Sequence, residues 1–289
     1  MPSEDSMRTL SSRMDTQRAH TQILQAQIEE GLQTIDRPTS GQFLSGLSCG
    51  LDIGFGPFMM AAMYAVTAGT MVAAGTKILM SLMYTLGFMF VILGQSELFT
   101  EHTTLAVLPI LEGERSLRDL GGLWGTVWVG NTIGGVVVAL GAAYVGPALN
   151  LVPPSAFRHL GNTFIGLPVG GVFGGAVLAG WLMGLLSWIL TAAGDTISRI
   201  AVIVATTFVI GFGHLPHCVA GNIEVLAAMF SGASISVVEW ARFLSITTAG
   251  NALGGVVFVS LLKHAHVRRG GPETTFEIEQ KEGVGVERS

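Results

Sequence analysis

The stretch Gly211-Phe-Gly-His-Leu-Pro-His-Cys-Val-Ala-Gly-Asn222 lies inside an apolar run from about Ile200 to Phe230. A run of that length can cross a bilayer, for which about 20 apolar residues suffice. Yet its middle carries two histidines, a proline and three glycines. An opened helix in hydrocarbon leaves N–H and C=O groups unpaired at several kcal/mol each. Such a break survives only where protein encloses it or where it lines a cavity. The run therefore predicts a discontinuous transmembrane helix with a histidine at its break.

Composition agrees with that class. Only 12% of the 289 residues are charged and 39 are glycine, whereas soluble domains carry about 25% charged residues. Small residues let membrane helices approach closely. Six apolar segments are expected, at about 43–66, 70–110, 121–146, 164–192, 200–230 and 243–263. They make residues 41–265 one all-α, six-span membrane domain. The second segment is too long for one helix and is interrupted by Gln95-Ser-Glu-Leu-Phe-Thr-Glu-His-Thr-Thr104.

Residues 1–40 form a polar N-terminal segment. Leu24, Ile28, Leu32 and Ile35 recur at helical spacing and predict an amphipathic helix over about 15–35, on the membrane surface or against a neighbouring subunit. No cleavable signal peptide is expected there, since the segment is polar. Residues 266–289 are expected to form a mobile tail. If both tails are cytoplasmic, that side holds twelve of the Lys and Arg residues. Lys77, Arg158 and Arg242 fall elsewhere. That bias predicts an even number of spans with both termini inside.

An internal repeat organises the spans. Val129-Gly-Asn-Thr-Ile-Gly-Gly-Val-Val-Val-Ala-Leu140 matches Ala249-Gly-Asn-Ala-Leu-Gly-Gly-Val-Val-Phe-Val-Ser260 at an offset of 120 residues, 131 to 251. Without gaps the same offset carries Glu97 onto His217. The two interruptions then occupy the second span of each three-span half. Three being odd, the halves are inverted, and paired broken helices in an inverted repeat point to a pathway near the midplane.

His217 is the leading pathway residue. A buried imidazole in a span is expected to be neutral but able to share a proton; the alternative is a histidine that only bonds the broken backbone. His214 is a possible pathway or vestibule residue. In the first interruption Leu98 and Phe99 can form an apolar constriction and Thr100 can offer a hydroxyl. Glu97 can cap a half-helix or pair with a histidine. Asn131 and Asn251, each after a glycine, are expected to bond exposed carbonyls of the broken helices. Lys77 is expected to reach the interface along its aliphatic stem, and Asp52 and Glu224 receive no transport role. Glu101 and His102 lack further spaced ligands, so no metal site is expected. No cofactor is implied, no phosphate or dinucleotide loop is present, and nothing basic and aromatic suggests nucleic acid. Cys49 and Cys218 have no metal or disulfide spacing.

Leu98-Phe-Thr100, His217-Cys-Val-Ala220 and the paired Gly-Asn-x-x-Gly-Gly motifs resemble the formate/nitrite transporter family over residues 40–265. Asp36-Arg-Pro-Thr-Ser-Gly and Val219-Ala-Gly-Asn-Ile-Glu-Val-Leu226 resemble a poorly characterised bacterial subgroup of it. The resemblance implies an aquaporin-like six-helix protomer in a homopentamer of the bacterial inner membrane. It also implies a pathway through each protomer for formate, nitrite or hydrosulfide, and no enzyme activity. His217 then matches the central histidine, Thr100 the threonine facing it, and Leu98 and Phe99 the apolar constriction. The chain departs from the family pattern where Pro216 replaces a Glu before the histidine and where Cys218 and Gly221 replace Ser and Asn. It also has no counterpart of a lysine near the start of the fourth span. Two other functions remain open: a neutral-solute pore on the same fold, and a membrane scaffold that binds a partner through its N-terminal helix.

Overall fold

The computed structural model describes residues 20–270, whose regular elements are all helices. Six segments are long and apolar enough to cross a membrane: Thr39–Thr67, Ala73–Leu93, Leu117–Ala148, Val169–Ala192, Thr196–Gly213 and Val237–Arg269. They are spans 1 to 6. Helical structure stops after Leu93 and resumes as a half-helix, Phe99–Leu105; it stops after Gly213 and resumes as Ala220–Phe230. The outward faces stay apolar, with Val137, Leu140, Tyr144 and Val66 among the exposed side chains. That is the surface a lipid solvent requires.

The inverted repeat is written in the hydrogen bonds. Asn131 Oδ1 accepts from Phe99 N–H at 2.9 Å, and its Nδ2 donates to the carbonyls of Gly46 and Glu97 at 2.8 and 2.9 Å. Asn251 Oδ1 accepts from Cys218 N–H at 2.8 Å, and its Nδ2 donates to Ala176 and Pro216 at 2.7 and 3.1 Å. Each amide thus satisfies both sides of one break and ties it to span 1 or span 4. Gly50 and Gly180 make room: a Cβ on either would lie 2.3 or 2.1 Å from the carbonyl oxygen of Asn131 or Asn251.

These bonds correct the register of the repeat. Glu97 pairs with Pro216 and Leu98 with His217, an offset of 119 residues (97 to 216), not the ungapped 120 that put Glu97 on His217. Gln95 and His214, the left-handed residues that end the first half of each broken span, share the shorter offset, as do the positive-φ glycines Gly113 and Gly232. The capping boxes Ser116/Asp119 and Ser236/Glu239 return to 120. One extra residue between Gly232 and Ser236 accounts for the difference.

The repeat also includes a fourth element. Helix His20–Asp36 corresponds to helix Pro154–Ile165 at an offset of 130, 38 to 168: Pro38 and Pro168 both precede a span, and Gly31 and Gly161 both press on a half-helix. Ile23, Leu24 and Ile28 bury against Leu108, Trp188 and Val259 of the same chain. Gln27 Nε2 donates to Ser187 Oγ at 3.1 Å. The apolar face of this helix is thus covered by its own chain, a placement different from the two expected, the membrane surface and a neighbouring subunit. Residues 15–19 of the expected helix lie outside the described residues.

Both ends of the described chain lie on one side, where the His20 and His266 rings meet at 5.7 Å. The last span runs on as helix to Arg269, past the boundary expected at 265; residues 271–289 of the expected tail lie outside the described residues. Glu112 fastens this extension, accepting from His264 Nε2 at 2.6 Å and from Arg268 at 2.5 and 2.9 Å.

Two expectations follow. Asn131→Leu or Asn251→Leu orphans three backbone groups, each costing about 1–3 kcal/mol. Either change should lower the melting temperature in detergent by several degrees, whereas Asn162→Leu on an exposed face should leave it nearly unchanged. Second, the Arg268 hydrogen bond, followed by that from His264, holds the Glu112 carboxyl below its ordinary value of 4.5. Its contribution is therefore present above that value and is lost as pH falls through the lower, folded one. Amide exchange over 262–269 should rise on acidification, and Glu112→Gln should raise it at neutral pH.

Candidate permeation site

The backbone on either side of His217 is clamped, since Asn251 bonds the Pro216 carbonyl and the Cys218 N–H. The side chain is clamped as well. Val219 N–H and Ala220 N–H donate to Nδ1 at 3.2 and 3.3 Å, so the ring caps the N-terminus of half-helix Ala220–Phe230. With Nδ1 accepting, the proton of the neutral ring sits on Nε2. Nε2 lies 3.1 Å from Thr100 Oγ1, at the start of the other half-helix. Both residues are fully buried. The Nε2–H donates to Thr100, whose own hydroxyl hydrogen is left to point elsewhere.

Leu98 and Phe99 are buried beside this pair, and Phe99 packs edge-to-face on Trp124 at 5.8 Å. The ring that faces His217 is Phe88, perpendicular to it at 5.3 Å. Phe88 was not singled out from sequence. Its only signal is its place on the buried stripe Tyr84, Phe88, Val91, one helical face leading into the break.

His214 is not brought to Thr100. It sits in the left-handed region at φ 45°, where its Nε2 meets Glu224 Oε2 at 3.0 Å and its ring lies 4.1 Å from that of Phe164. Glu97 pairs with a histidine as expected: its carboxylate bonds both His102 Nε2 and Arg37. Its N–H donates to Ser45 Oγ at 3.0 Å. The repeat places Gly175 where Ser45 stands, and Pro216, which has no N–H, where Glu97 stands. A Cβ on Gly175 would lie 2.8 Å from the Pro216 ring. The second half thus has neither the N–H donor nor the hydroxyl. Arg158 donates to the Ser231 carbonyl at 2.9 Å, fastening the helix before span 4 to the end of the second half-helix.

Two cavities border the breaks, one beside each. The one on the side of the termini measures about 620 Å³ and is lined by Glu29, Glu30, Arg37, Glu97, Glu101 and Arg199 among others. The opposite one measures about 580 Å³ and includes Tyr64, Thr76, Lys77, His159, Thr163 and His214. Among the described residues, no cluster of His, Cys, Asp and Glu could hold a metal ion.

Comparison with known proteins agrees with this architecture. Residues 21–265 match the family described as formate/nitrite transporter. The chain is 30% identical over 247 residues to "Inner membrane protein YfdC" of Escherichia coli (strain K12), covering 83% of this chain and 76% of that one. It is 27% identical over 225 residues to "Nitrite transporter NirC" of Salmonella typhimurium, covering 76% and 81%. Among solved structures, an "FNT family ion channel" superposes with a TM-score of 0.76 at 22% identity, covering 87% of this chain and all of that one. A "Pentameric formate channel with formate bound" superposes with a TM-score of 0.66 at 21% identity, covering 80% and 98%. At those identities the likeness to solved structures is one of fold. With its six spans and the family match over residues 21–265, the chain belongs to the formate/nitrite transporter family of membrane transporters and channels.

Proposed function

We propose that this protein passes small monovalent anions of weak acids, of the formate, nitrite or hydrosulfide kind, across a bacterial inner membrane. Each protomer of a homopentamer carries one pathway, both termini lie in the cytoplasm, and permeation is aided by His217. The observation that carries this reading is the buried contact of His217 Nε2 with Thr100 Oγ1 at 3.1 Å, which joins two breaks that each border a cavity. A bare anion entering apolar protein loses several kcal/mol of hydration. The fixed Nε2–H and the rotatable Thr100 hydroxyl can each donate to a permeant oxygen or sulfur brought between them, and a hydrogen bond to a charged group returns about 1.5–3 kcal/mol.

The geometry favours hydrogen bonding over proton delivery. An imidazolium would place a proton on Nδ1 against the N–H groups of Val219 and Ala220 and next to the positive end of a half-helix. The ring therefore acts as a donor held neutral. A proton that crosses with the substrate comes from the water of the cavities. Leu98, Phe99 and Phe88 exclude water around the pair, while Asn131 and Asn251 hold the breaks open.

Stopped-flow flux into proteoliposomes, with formate, nitrite and hydrosulfide in turn, tests this. His217→Phe, which removes the donor, should slow the transported anion about 10- to 100-fold, the equivalent of one charge-assisted hydrogen bond. His217→Asn, which keeps an N–H, should retain much more of the flux. Equal, undiminished flux in both variants would rule out the histidine's role. Swelling driven by uncharged solutes and insensitive to pH would favour a neutral-solute pore.

A further inference from the structure

The inverted repeat gives the two cavities equivalent walls, so their side chains can be compared position by position. At the 130-residue offset (29 to 159), Glu29 corresponds to His159, Glu30 to Leu160 and Gln33 to Thr163. Each of these lines its own cavity. In the breaks, Gln95 corresponds to His214. The cavity on the side of the termini thus carries Glu29, Glu30, Glu97 and Glu101 against Arg37, Arg199 and His102, with Glu97 taken up by Arg37 and His102. The opposite cavity carries no carboxylate on its wall, and its one charged residue is Lys77. Glu224 is buried and bonded to His214 of that wall.

Lys77 is placed for a soluble ligand. Its Nζ lies over the Phe212 ring, 4.5 Å from the centroid. Among the described residues no carboxylate pairs with it. The Phe212 face offers an ammonium partial compensation without neutralising it. His159 stacks on Tyr64 at 4.1 Å, which presents an imidazole edge to the same space. A cavity with walls of one charge sign concentrates the opposite ion.

We propose that the cavity opposite the termini is an anion-loading site, recruited by Lys77 with His159 and His214 as its polar partners, and that the carboxylates sharing the other cavity's wall with Arg37, Arg199 and His102 weaken loading there. The proposal rests on the anion-pathway reading above. It makes conduction asymmetric: anions load more readily from the Lys77 side, although the equilibrium across the membrane is unchanged.

Two measurements on the full-length protein test it. In planar bilayers with formate or nitrite, Lys77→Gln should raise the half-saturating anion concentration about 3- to 10-fold from the Lys77 side. It should do little from the other side, and Lys77→Arg should restore the wild-type value. A concentration dependence unchanged by Lys77→Gln from both sides would overturn the proposal. The second measurement needs no transport: an amine-reactive ester is applied to the purified protein and labelling is read by mass spectrometry. Nitrite or formate should protect Lys77 but not Lys263, which lies over Trp188 on the side of the termini. Absence of protection also overturns the site. Protection of Lys77 in a protein that conducts neither anion would sink the transport reading and leave the loading site standing.

Discussion

Two asparagine side chains carry the constraint on which the rest depends. A helix that stops in the middle of a bilayer leaves donors and acceptors that neither water nor lipid can satisfy. An amide is a side chain able to meet one of each at once, and Asn131 and Asn251 each accept one N–H and donate to two carbonyls. The groups they bind flank one residue in each break. Glu97 and Phe99 flank Leu98; Pro216 and Cys218 flank His217. The side chains at the centre are thus fixed through their own backbones. Gly50 and Gly180 are part of the same device, because any side chain there would occupy the space of the asparagine backbone.

The same braces explain what could be read from sequence. Gly-Asn-x-x-Gly-Gly occurs twice because the amide and the close helix contacts need the same residue types in both halves. Six spans, two interruptions and the role of the asparagines were legible for that reason. The register of the breaks was not: the extra residue lies between Gly232 and Ser236, in a connection with no internal identity to mark it. His217 and His214 were hard to separate because spacing says little about a left-handed residue, and only the backbone places His214 at the end of span 5. The kinship of helices His20–Asp36 and Pro154–Ile165 was hard to see, since within them only Ala26, Gly31 and Ile35 recur, as Ala156, Gly161 and Ile165. Phe88 and the wall around Lys77 depend on packing between elements far apart in the chain.

A symmetric scaffold with asymmetric side chains is the natural place for directional chemistry. Backbone hydrogen bonds demand the symmetry; cavity walls do not. Glu29 can therefore stand opposite His159, and Leu98 opposite His217, without strain on the fold. The last span departs further. Its π-helical turn, Val256–Leu261, carries Ser260, whose hydroxyl reaches the carbonyls of Thr103 and Thr104 at the end of the first half-helix at 3.4 and 3.3 Å. The corresponding part of span 3 stays α-helical. π turns in helices often mark functional positions, and here the turn supports the half-helix that bears Thr100.

Pro216 shows how such a scaffold tolerates change beside its centre. In the first half, the N–H of Glu97 needs a partner and finds the hydroxyl of Ser45. Had proline alone replaced the second-half counterpart, a half-buried hydroxyl would have lost its donor; had glycine alone replaced the serine, an N–H at the break would have lost its acceptor. Either costs about 1–3 kcal/mol, whereas removing both partners is nearly neutral. Pro216 and Gly175 make both changes, and the proline ring fills the space that the missing side chain vacates. The substitution ahead of His217 is therefore compatible with an intact break. Its chemical consequence is that no carboxylate stands next to the histidine in sequence. His217 is left with two N–H donors on Nδ1, a hydroxyl at Nε2 and an aromatic edge-to-face neighbour. That setting favours a neutral hydrogen-bond donor over a charged one.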